Sequence, residues 1–374
     1  MRIQRKIKSE VEKIDFKILD GLRGIAATYV LFHHARGNLF IGGAKYAQIK
    51  SAALWDFKEK LYFSSLQLTL LGRDFVILFF IVSGFSIAYS LHKRPKFSQF
   101  YMRRLVRIYP PYIVALVWAF VVFVMLKHFA PAALPPNGVS VFNSFDSTIK
   151  NIFYIDTGSL IAQFWSLKYE VIFYLLVPFF LMRVNFYFIV SLIIAGVSFF
   201  ISWENNSGVS ILGQYVLDYN IYFAIGIFCF HYYKTISSLF TIGNKYAFYA
   251  VAFASFIMMV AFRYWIRSDM NKISLVLASL FSVLLLFNFL HHKIKNKVLT
   301  FLGNMSYTIY ISHFASIMLL LGILLKTGVI QSVEIQNKFL WLTGIPFALG
   351  ISYLFYILVE KPTKDLLTKI RKKS

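Results

Sequence analysis

Residues 19–36 read LDGLRGIAATYVLFHHAR, an apolar stretch that carries an arginine, Arg23, and a histidine, His34, eleven positions apart. Eleven residues of an α-helix make about three turns plus roughly 20°, so both side chains lie on one stripe, about 16 Å apart along the axis. Burying a charge in a membrane helix costs about 2.5–3.5 kcal/mol even on the lenient insertion scale. We therefore expect this helix to line a functional site. The alternative is that Arg23 reaches lipid phosphate and His34 bonds a neighbouring helix.

The start of this helix is predicted from a capping residue. Asp20 precedes Gly21, and its carboxylate can accept hydrogen bonds from the free amides of a helix amino terminus. Arg23 would then lie in the first turn, near the cytoplasmic face, with His34 much deeper. A neutral imidazole at such a depth suits a general base that acts on an alcohol.

The composition indicates a polytopic membrane protein. Of 374 residues, 58% are hydrophobic and only 15% are charged, and the mean hydropathy is +0.65. No repeat or linker divides the chain, so we predict an all-α fold of about ten transmembrane helices in one domain over residues 1–374, with both termini cytoplasmic. The predicted spans are residues 18–36, 75–91, 110–127, 164–182, 185–202, 215–232, 247–265, 273–290, 305–325 and 339–359.

The net charge of +23 does not indicate a nucleic-acid partner, because the basic residues cluster between the predicted spans. The segments predicted to be cytoplasmic hold 24 lysines and arginines, and the outer segments hold 12. This is the bias of the positive-inside rule, and it implies contact with membrane lipids. The two largest outer segments, 37–74 and 128–163, are predicted lids or walls of an acceptor site.

Three arginines precede the third span in the stretch FYMRRLVRIYPPY. Arg104 and Arg107 share a helix face at a spacing of three, and Arg103 lies beside them. Guanidinium groups match the geometry of phosphate oxygens, so these residues are candidates for a phosphate site. The alternative is a topology signal that contacts anionic lipid.

Two further polar residues lie within predicted spans. Ser83 precedes Gly84 in the middle of the second span, where small residues allow close helix packing. Glu170 lies near the outer end of the fourth span with Lys168 close by. It could form a structural ion pair with that lysine or position a polar substrate.

A polar stripe is predicted on the ninth span, because His313 follows Tyr310 by three residues and Tyr307 by six. Substrate contact and a packed polar network are equally compatible with it. The histidines are scattered and no acidic cluster accompanies them, so we expect no metal site. The single Cys229 lies in an apolar run and is read as a core residue.

Six stretches, taken in order, resemble the acyltransferase-3 family of integral membrane O-acyltransferases. They are LDGLRGIAATYVLFHH, LFFIVSGFSI, RRLVRIYPPY, WSLKYEVIFYLL, LGNMSYTIYISH and VEKP. The arginine and histidine eleven positions apart are specific to that family, whereas each of the other stretches is weak alone. Together the stretches cover nearly the whole chain.

The resemblance implies a ten-span core in the cytoplasmic (inner) membrane that takes an acyl group, usually acetyl, from acetyl-CoA or another acyl-CoA. The acceptor would be a hydroxyl of an extracytoplasmic glycan or lipid-linked saccharide. Carried over to this chain, the resemblance gives Arg23 and His34 the catalytic role. It gives Arg104 and Arg107 a role in donor binding or catalysis. We assign them to donor binding and add Arg103.

The resemblance also matches recurrent polar positions that we assign to substrate binding, namely Ser83, Glu170, Tyr310 and His313. The chain departs from the family pattern at GRDFVIL, where Phe75 and Ile77 stand in place of a glycine and an aspartate, and at Lys168. These departures concern the acceptor side. The chain ends shortly after the last span, so it resembles the stand-alone form without an SGNH-type hydrolase domain.

A different class of protein fits the same polar residues. A transporter or flippase of a polar glycan or small solute would use the intramembrane histidine, arginine and glutamate as a relay, without covalent chemistry. Inverted repeats would favour that class, and the sequence has no internal symmetry of this kind.

Overall fold

The chain folds into helices. The computed structural model describes residues 14–93, 96–135, 145–153, 159–200, 211–242, 245–266 and 272–373, a part that contains no strand. Two π-helical turns, Tyr215–Tyr219 and Tyr356–Glu360, lead directly into the α-helices that begin at Asn220 and Lys361. In chain order the α-helices are α1 (Phe16–Asn38), α2 (Gly42–Ile49), α3 (Phe57–Leu66), α4 (Gly72–Lys93), α5 (Phe97–Phe129), α6 (Phe145–Ile152), α7 (Trp165–Met182), α8 (Val184–Phe200), α9 (Ile211–Gln214), α10 (Asn220–His231), α11 (Tyr233–Ile242), α12 (Lys245–Ile266), α13 (Lys272–His291), α14 (Lys297–Asn304), α15 (Ser306–Lys326), α16 (Trp341–Phe355) and α17 (Lys361–Lys373).

Helices occupy all ten predicted spans, and the chain is an all-α polytopic membrane protein. Three of the predicted spans fall on less typical membrane helices. Span 18–36 is the polar α1, span 185–202 is the shorter α8, and span 215–232 is a π turn followed by α10. Residues 201 and 202 lie outside the described part. Within that part, seven helical stretches are long and apolar enough to cross a membrane, namely Phe57–Lys93, Phe97–Phe129, Ile161–Met182, Tyr246–Ile266, Lys272–His291, Ser306–Lys326 and Trp341–Leu367.

The first helix begins earlier than predicted. Its cap is Asp15, whose Oδ1 accepts from the amide of Lys17 at 3.0 Å. Asp20, the predicted cap, lies inside the helix and accepts from Nη1 of Arg23 at 3.1 Å. The prediction that Asp20 caps the helix was wrong, because residues 16–19 form one more helical turn before it. The polar residues between 13 and 20 gave no clear sign of that turn. Arg23 consequently lies beyond the first turn.

Glycines bring α1 into backbone contact with α14. A Cβ on Gly24 would lie 2.6 Å from the amide nitrogen of Gly303, and a Cβ on Gly303 would lie 2.6 Å from the carbonyl carbon of Asp20. Such close approach between membrane helices requires small residues on both sides. The contact holds the Arg23 turn of α1 against the helix that leads into α15.

The α15 helix forms the centre of the bundle. Its residues from Ser306 to Leu319 are all buried, and it packs against α1, α5 and α16. A helix that is buried all round can carry polar residues only if they meet partners or a site. Its polar face therefore has to be explained by the residues it contacts.

The packing predicted at Gly84 is confirmed. A Cβ there would lie 2.4 Å from the carbonyl oxygen of Phe223 on α10, and one on Gly226 would lie 2.2 Å from that of Ile81. Ser83 differs from its neighbour, because its hydroxyl donates to Oε1 of Glu170 at 3.2 Å instead of only filling space.

The α5 helix has 33 residues and contains Pro110 and Pro111 in its interior. Proline removes a helical hydrogen bond, yet membrane helices tolerate it when neighbours supply polar partners. Tyr307 of α15 bonds the same stretch of α5, since its hydroxyl donates to the carbonyl of Ile108 at 3.0 Å. The carbonyls that the prolines leave without an amide donor are those of Val106 and Arg107. The sequence analysis placed Arg103, Arg104 and Arg107 before the third span. In the structure α5 continues through the prolines, so all three arginines lie within the helix.

The segment predicted as an outer lid or wall, 37–74, contains α2 and α3 and is tied to residues 331–340. Glu59 forms ion pairs of 2.7 Å with both Lys50 and Lys338. The amide of Ile41 donates to the carbonyl of Ile335 at 3.1 Å. These bonds join the two segments into one layer. The second predicted wall, 128–163, includes residues 136–144 and 154–158, which lie outside the described part.

Candidate active site

Four helices supply the polar lining of a pocket that we call the arginine pocket. It is a narrow, partly open cleft with a cavity volume of about 20 Å³. Arg23 comes from α1, and Arg104 and Arg107 come from α5, so the fold brings together the arginines of two separate sequence motifs. The lining residues are Arg23, Phe79, Arg104, Arg107, Ile108, Glu170, Tyr174, Ser306 and Tyr307.

Three guanidinium groups and one carboxylate line the arginine pocket, and Asp20 pairs with Arg23, so positive charge exceeds negative charge by one. The Arg104 guanidinium lies over the rings of Phe100 and Tyr174, at 5.4 and 5.3 Å from their centroids. Such contacts hold a guanidinium in place without neutralising it. A pocket with several oriented guanidinium groups is suited to phosphate oxygens.

The burial of Arg23 contradicts the expectation that it could reach lipid phosphate. Only 5% of its surface is exposed, and it points into the arginine pocket beside its partner Asp20. A buried arginine that lines a pocket is a functional candidate.

Arg103 differs from the two arginines beside it in sequence. All three are half-buried, but the described lining of the arginine pocket does not include Arg103. Its predicted part in donor binding therefore finds no support in this pocket.

Glu170 lies elsewhere than predicted. We expected it on the outer, acceptor side, and the structure places it in the arginine pocket. Its Oε1 accepts hydrogen bonds from Ser83 and from Tyr174, four residues further along α7. The Lys168 ammonium, the other partner considered, lies 5.0 Å from the centroid of the Tyr169 ring. The prediction failed because α5 extends past its expected start and carries its arginines to the level of Glu170.

His34 meets His313 at the opposite end of the α1 stripe, and we call these two residues the histidine pair. Their ring centroids are 5.3 Å apart. His34 is half-buried, whereas His313 is fully buried. The rings of Phe314 and His33 lie 5.1 Å from that of His34. The surroundings of the pair are thus mostly aromatic.

The predicted stripe on α15 connects the two regions. Tyr307 lines the arginine pocket, and the ring of Tyr310 lies 6.0 Å from that of His313. Tyr310 also stacks at 6.1 Å on Phe79, another residue of the pocket lining. The stripe therefore runs from the arginine pocket to the histidine pair, and α1 and α15 run in the same direction.

Hydrogen bonds fix the middle of this stripe. The Tyr310 hydroxyl donates to the carbonyl of Gln163 at 2.8 Å and lies 2.7 Å from Oγ of Ser166. Gln163 in turn donates from Nε2 to the carbonyl of Ile311 at 3.1 Å. Tyr310 is thus held as part of a packed polar network, one of the two readings that the sequence left open.

Sequence reasoning missed two features. Tyr174 lies one helical turn after Glu170, and that spacing was a usable signal. The second feature is a buried ion pair of 2.9 Å between Arg263 and Asp74, which also accepts from Ser274 at 2.5 Å. Arg263 and Asp74 are 189 positions apart, so no local pattern could reveal their contact.

Comparison with known proteins supports the resemblance seen in the motifs. The Acyl_transf_3 family, described as an acyltransferase domain, matches residues 16–357. Acyltransferase MdmB of Streptomyces mycarofaciens is 31% identical over 168 residues, which are 43% of this chain and 38% of that protein. The chain thus spans well under half the length of that relative. No solved structure gave a significant match. Since the family covers nearly the whole chain, the protein belongs to the acyltransferase-3 family.

Proposed function

We propose that this acyltransferase takes an acyl group, acetyl in the simplest case, from cytoplasmic acyl-CoA and transfers it to a hydroxyl of an extracytoplasmic or lipid-linked glycan. It would do so as a multi-pass protein of the cytoplasmic (inner) membrane. The family accounts for acyl transfer in a membrane. The donor, the acceptor and the particular membrane are what the proposal adds.

The observation that carries the proposal is the convergence of Arg23, Arg104 and Arg107 in one pocket. Coenzyme A ends in a nucleotide with several phosphate groups, and its other end is a thin, uncharged arm that carries the thioester. A cationic pocket would bind the nucleotide end through charge-assisted hydrogen bonds. The positive-inside bias of the sequence favours a cytoplasmic location for this pocket.

The distance between the arginine pocket and the histidine pair matches a donor with two separate ends. Arg23 and His34 lie on one continuous helix, so eleven residues separate them by about 16 Å. The uncharged arm of the donor would lie between α1 and α15, along Phe79 and Tyr310. The thioester would then reach the histidine pair while the phosphates stay among the arginines.

His34 is the residue that we assign to the chemistry. It would remove the proton of the acceptor hydroxyl as the oxygen attacks the thioester carbonyl. A carbon–oxygen bond forms and the carbon–sulfur bond breaks. The proton then passes from His34 to the departing thiolate, which leaves as the free thiol of coenzyme A.

Arg23 receives a narrower role than the sequence indicated. A group about 16 Å from His34 along the helix is too far to contact an oxyanion that forms there. We therefore assign Arg23 to the donor phosphates, together with Arg104 and Arg107.

The proposal is tested with purified protein in lipid vesicles, acetyl-CoA labelled in its acetyl group, and cell-envelope glycan on the opposite side. We expect labelled glycan and release of free coenzyme A that depends on the glycan. Movement of an unmodified solute across the vesicle without labelling would favour a transporter or flippase instead.

A further inference from the structure

We infer that the acceptor carries two neighbouring hydroxyl groups: His34 deprotonates one, and the other donates a hydrogen bond to Nε2 of His313. This inference rests on the proposed function, and it specifies which atom of His313 contacts the acceptor and which class of acceptor fits.

The tautomer of His313 follows from its hydrogen bond. Nδ1 lies 2.9 Å from the carbonyl oxygen of Ile309, which can only accept, so Nδ1 carries the proton. A second ring proton would place an unpaired charge in a fully buried site, which is costly. Nε2 therefore holds a lone pair and can only accept a hydrogen bond.

This lone pair has no hydrogen-bond partner within the part of the chain that the structure describes. Buried polar atoms are nearly always paired, and an unpaired one calls for an explanation. Nδ1 faces the backbone of α15, and Nε2 is on the far side of the same ring. The His34 ring is 5.3 Å away, so a group bound at Nε2 lies beside the residue that we assign to the chemistry.

The chemistry of this position selects a hydroxyl. An anion would be repelled by the lone pair of Nε2, and an ammonium would bring an unpaired charge into the aromatic surroundings of Tyr310, Phe314 and His33. A neutral hydroxyl needs no countercharge, and the carbon framework that bears it can pack against the rings.

One hydroxyl is insufficient for both histidines, because it has a single hydrogen. If the attacking hydroxyl gives that hydrogen to His34, then Nε2 of His313, which accepts only, needs a hydrogen from a different group. The short distance between the two rings places that group close to the first, as in a diol on neighbouring carbons of a sugar ring.

The test compares two small acceptors in detergent-solubilised protein with acetyl-CoA, namely trans-cyclohexane-1,2-diol and cyclohexanol. Release of free coenzyme A that depends on each acceptor gives its kcat/KM. We expect the diol to be preferred at least about tenfold, because cyclohexanol leaves a buried acceptor unpaired. Equal use of the two acceptors by the unaltered protein overturns the inference.

Two variants of His313 separate hydrogen bonding from folding. In His313→Asn the amide nitrogen takes the place of Nδ1 and keeps the bond to Ile309, but no atom replaces Nε2. The ratio of kcat/KM for the diol to kcat/KM for cyclohexanol should fall to within about twofold of one. The affinity for coenzyme A should not change. In His313→Gln the side-chain oxygen can take the place of Nε2 and should restore part of the preference. A preference that survives in His313→Asn contradicts the inference.

His33→Asn is the matched control, because the His33 ring also lies 5.1 Å from His34, but its Nδ1 is bonded to the carbonyl of Thr69 at 2.8 Å. This variant should keep the diol preference. If the protein acetylates its cellular glycan but neither probe, the acetylated position decides: a neighbouring free hydroxyl agrees with the inference, and an isolated hydroxyl overturns it. Absence of any transfer from acetyl-CoA would instead contradict the proposed function.

Discussion

The arginine pocket and the histidine pair lie at opposite ends of the same face of α1 and differ in how they treat charge. The arginine pocket contains three guanidinium groups together with a carboxylate, and its contacts are ion pairs and cation–π contacts. The contacts of the histidine pair are with aromatic rings. This difference supports the proposed division, in which one region binds the phosphates of the donor and the other reacts.

Separation of the two regions has a chemical consequence. Guanidinium charge close to a histidine disfavours the protonated form of the imidazole, and the imidazole must take up a proton if it acts as a base. At about 16 Å the arginines of the arginine pocket can hold a donor without opposing that step. The guanidinium that does act on His34 from nearby is that of Arg36, which donates to Oγ1 of Thr69 at 3.1 Å. The length of α1 therefore allows both regions to work on one substrate.

The largest effect is expected at the histidine pair. His34→Ala should lower acyl transfer by about 10²–10⁴-fold, the usual contribution of a positioned base, and leave the affinity for coenzyme A within about twofold. Transfer rates with labelled acetyl-CoA and equilibrium binding of coenzyme A measure the two quantities. His128→Ala, at an exposed position of α5, is the control. Near-normal transfer in His34→Ala would contradict the division between the regions.

A smaller effect is expected at the arginine pocket. Replacing Arg104 or Arg107 with alanine should weaken binding of coenzyme A about 10- to 100-fold, because hydrogen bonds to charged groups contribute about 1.5–3 kcal/mol. Added salt should reduce the difference between the variants and the unaltered protein.

Lysine at the same positions separates phosphate binding from membrane topology. Arg104→Lys and Arg107→Lys keep the positive charge that orients the helix but lose the planar fork of donors. We expect their orientation to be normal and their affinity for coenzyme A to be reduced. If the alanine variants change only orientation and bind coenzyme A normally, the arginines serve topology alone.

Glu170→Gln should change the affinity for coenzyme A in the opposite direction. It removes the carboxylate from the lining of the arginine pocket, so the affinity for coenzyme A should rise several-fold at low salt. The amide oxygen can still accept from Ser83 and Tyr174. Ser83→Ala, which removes one bond to Glu170 without changing charge, should stay within about twofold. A marked loss of affinity in Glu170→Gln would mean that the carboxylate is needed to hold the arginines in place.

The smallest effect is expected at the cap of α1. Asp15→Ala should lower stability by about 0.5–2 kcal/mol, measured by thermal unfolding in detergent, with Asp365→Ala on α17 as the control. The Lys295 side chain and the Lys17 amide lower the pKa of Asp15. The carboxylate therefore stabilises the fold fully above its unfolded pKa of about 4, and this contribution disappears as the pH falls through the lower folded pKa. Equal unfolding temperatures at pH 7 would show that α1 does not depend on this cap.

Much of the architecture could be predicted from hydropathy. All ten predicted spans fall on helices, because a membrane segment must satisfy its backbone polar groups internally and a long apolar run can do so only as a helix. Helix starts were predicted less well. Both Asp15 and Asp20 are suitable caps for α1, and the wrong one was chosen. The double proline in α5 was taken as a helix boundary although the helix continues through it. Aspartate and proline both occur at true helix ends, so neither signal is decisive.

The candidate site also has features that the sequence predicts and features that it does not. Spacing along one helix was sufficient to place Arg23 and His34 on a common stripe and to place Tyr310 and His313 on another. The location of Glu170 was not accessible, because it depends on how far α5 extends beside α7. The partners Asp74 and Arg263 were inaccessible for the same reason, since their contact depends on the packing of α13 against both α4 and α12.

The amino-acid sequence by itself determined that this is an all-helical membrane protein and which polar residues share a helical face. Both follow from periodicity and from the free-energy cost of polar groups in hydrocarbon, which act along a single segment. Only the tertiary structure decided that the arginines of two helices form one pocket with Glu170, and that His34 meets His313. These contacts join residues far apart in the chain, and they depend on which helix faces pack together, which the close approach of α1 and α14 at Gly24 and Gly303 helps to fix.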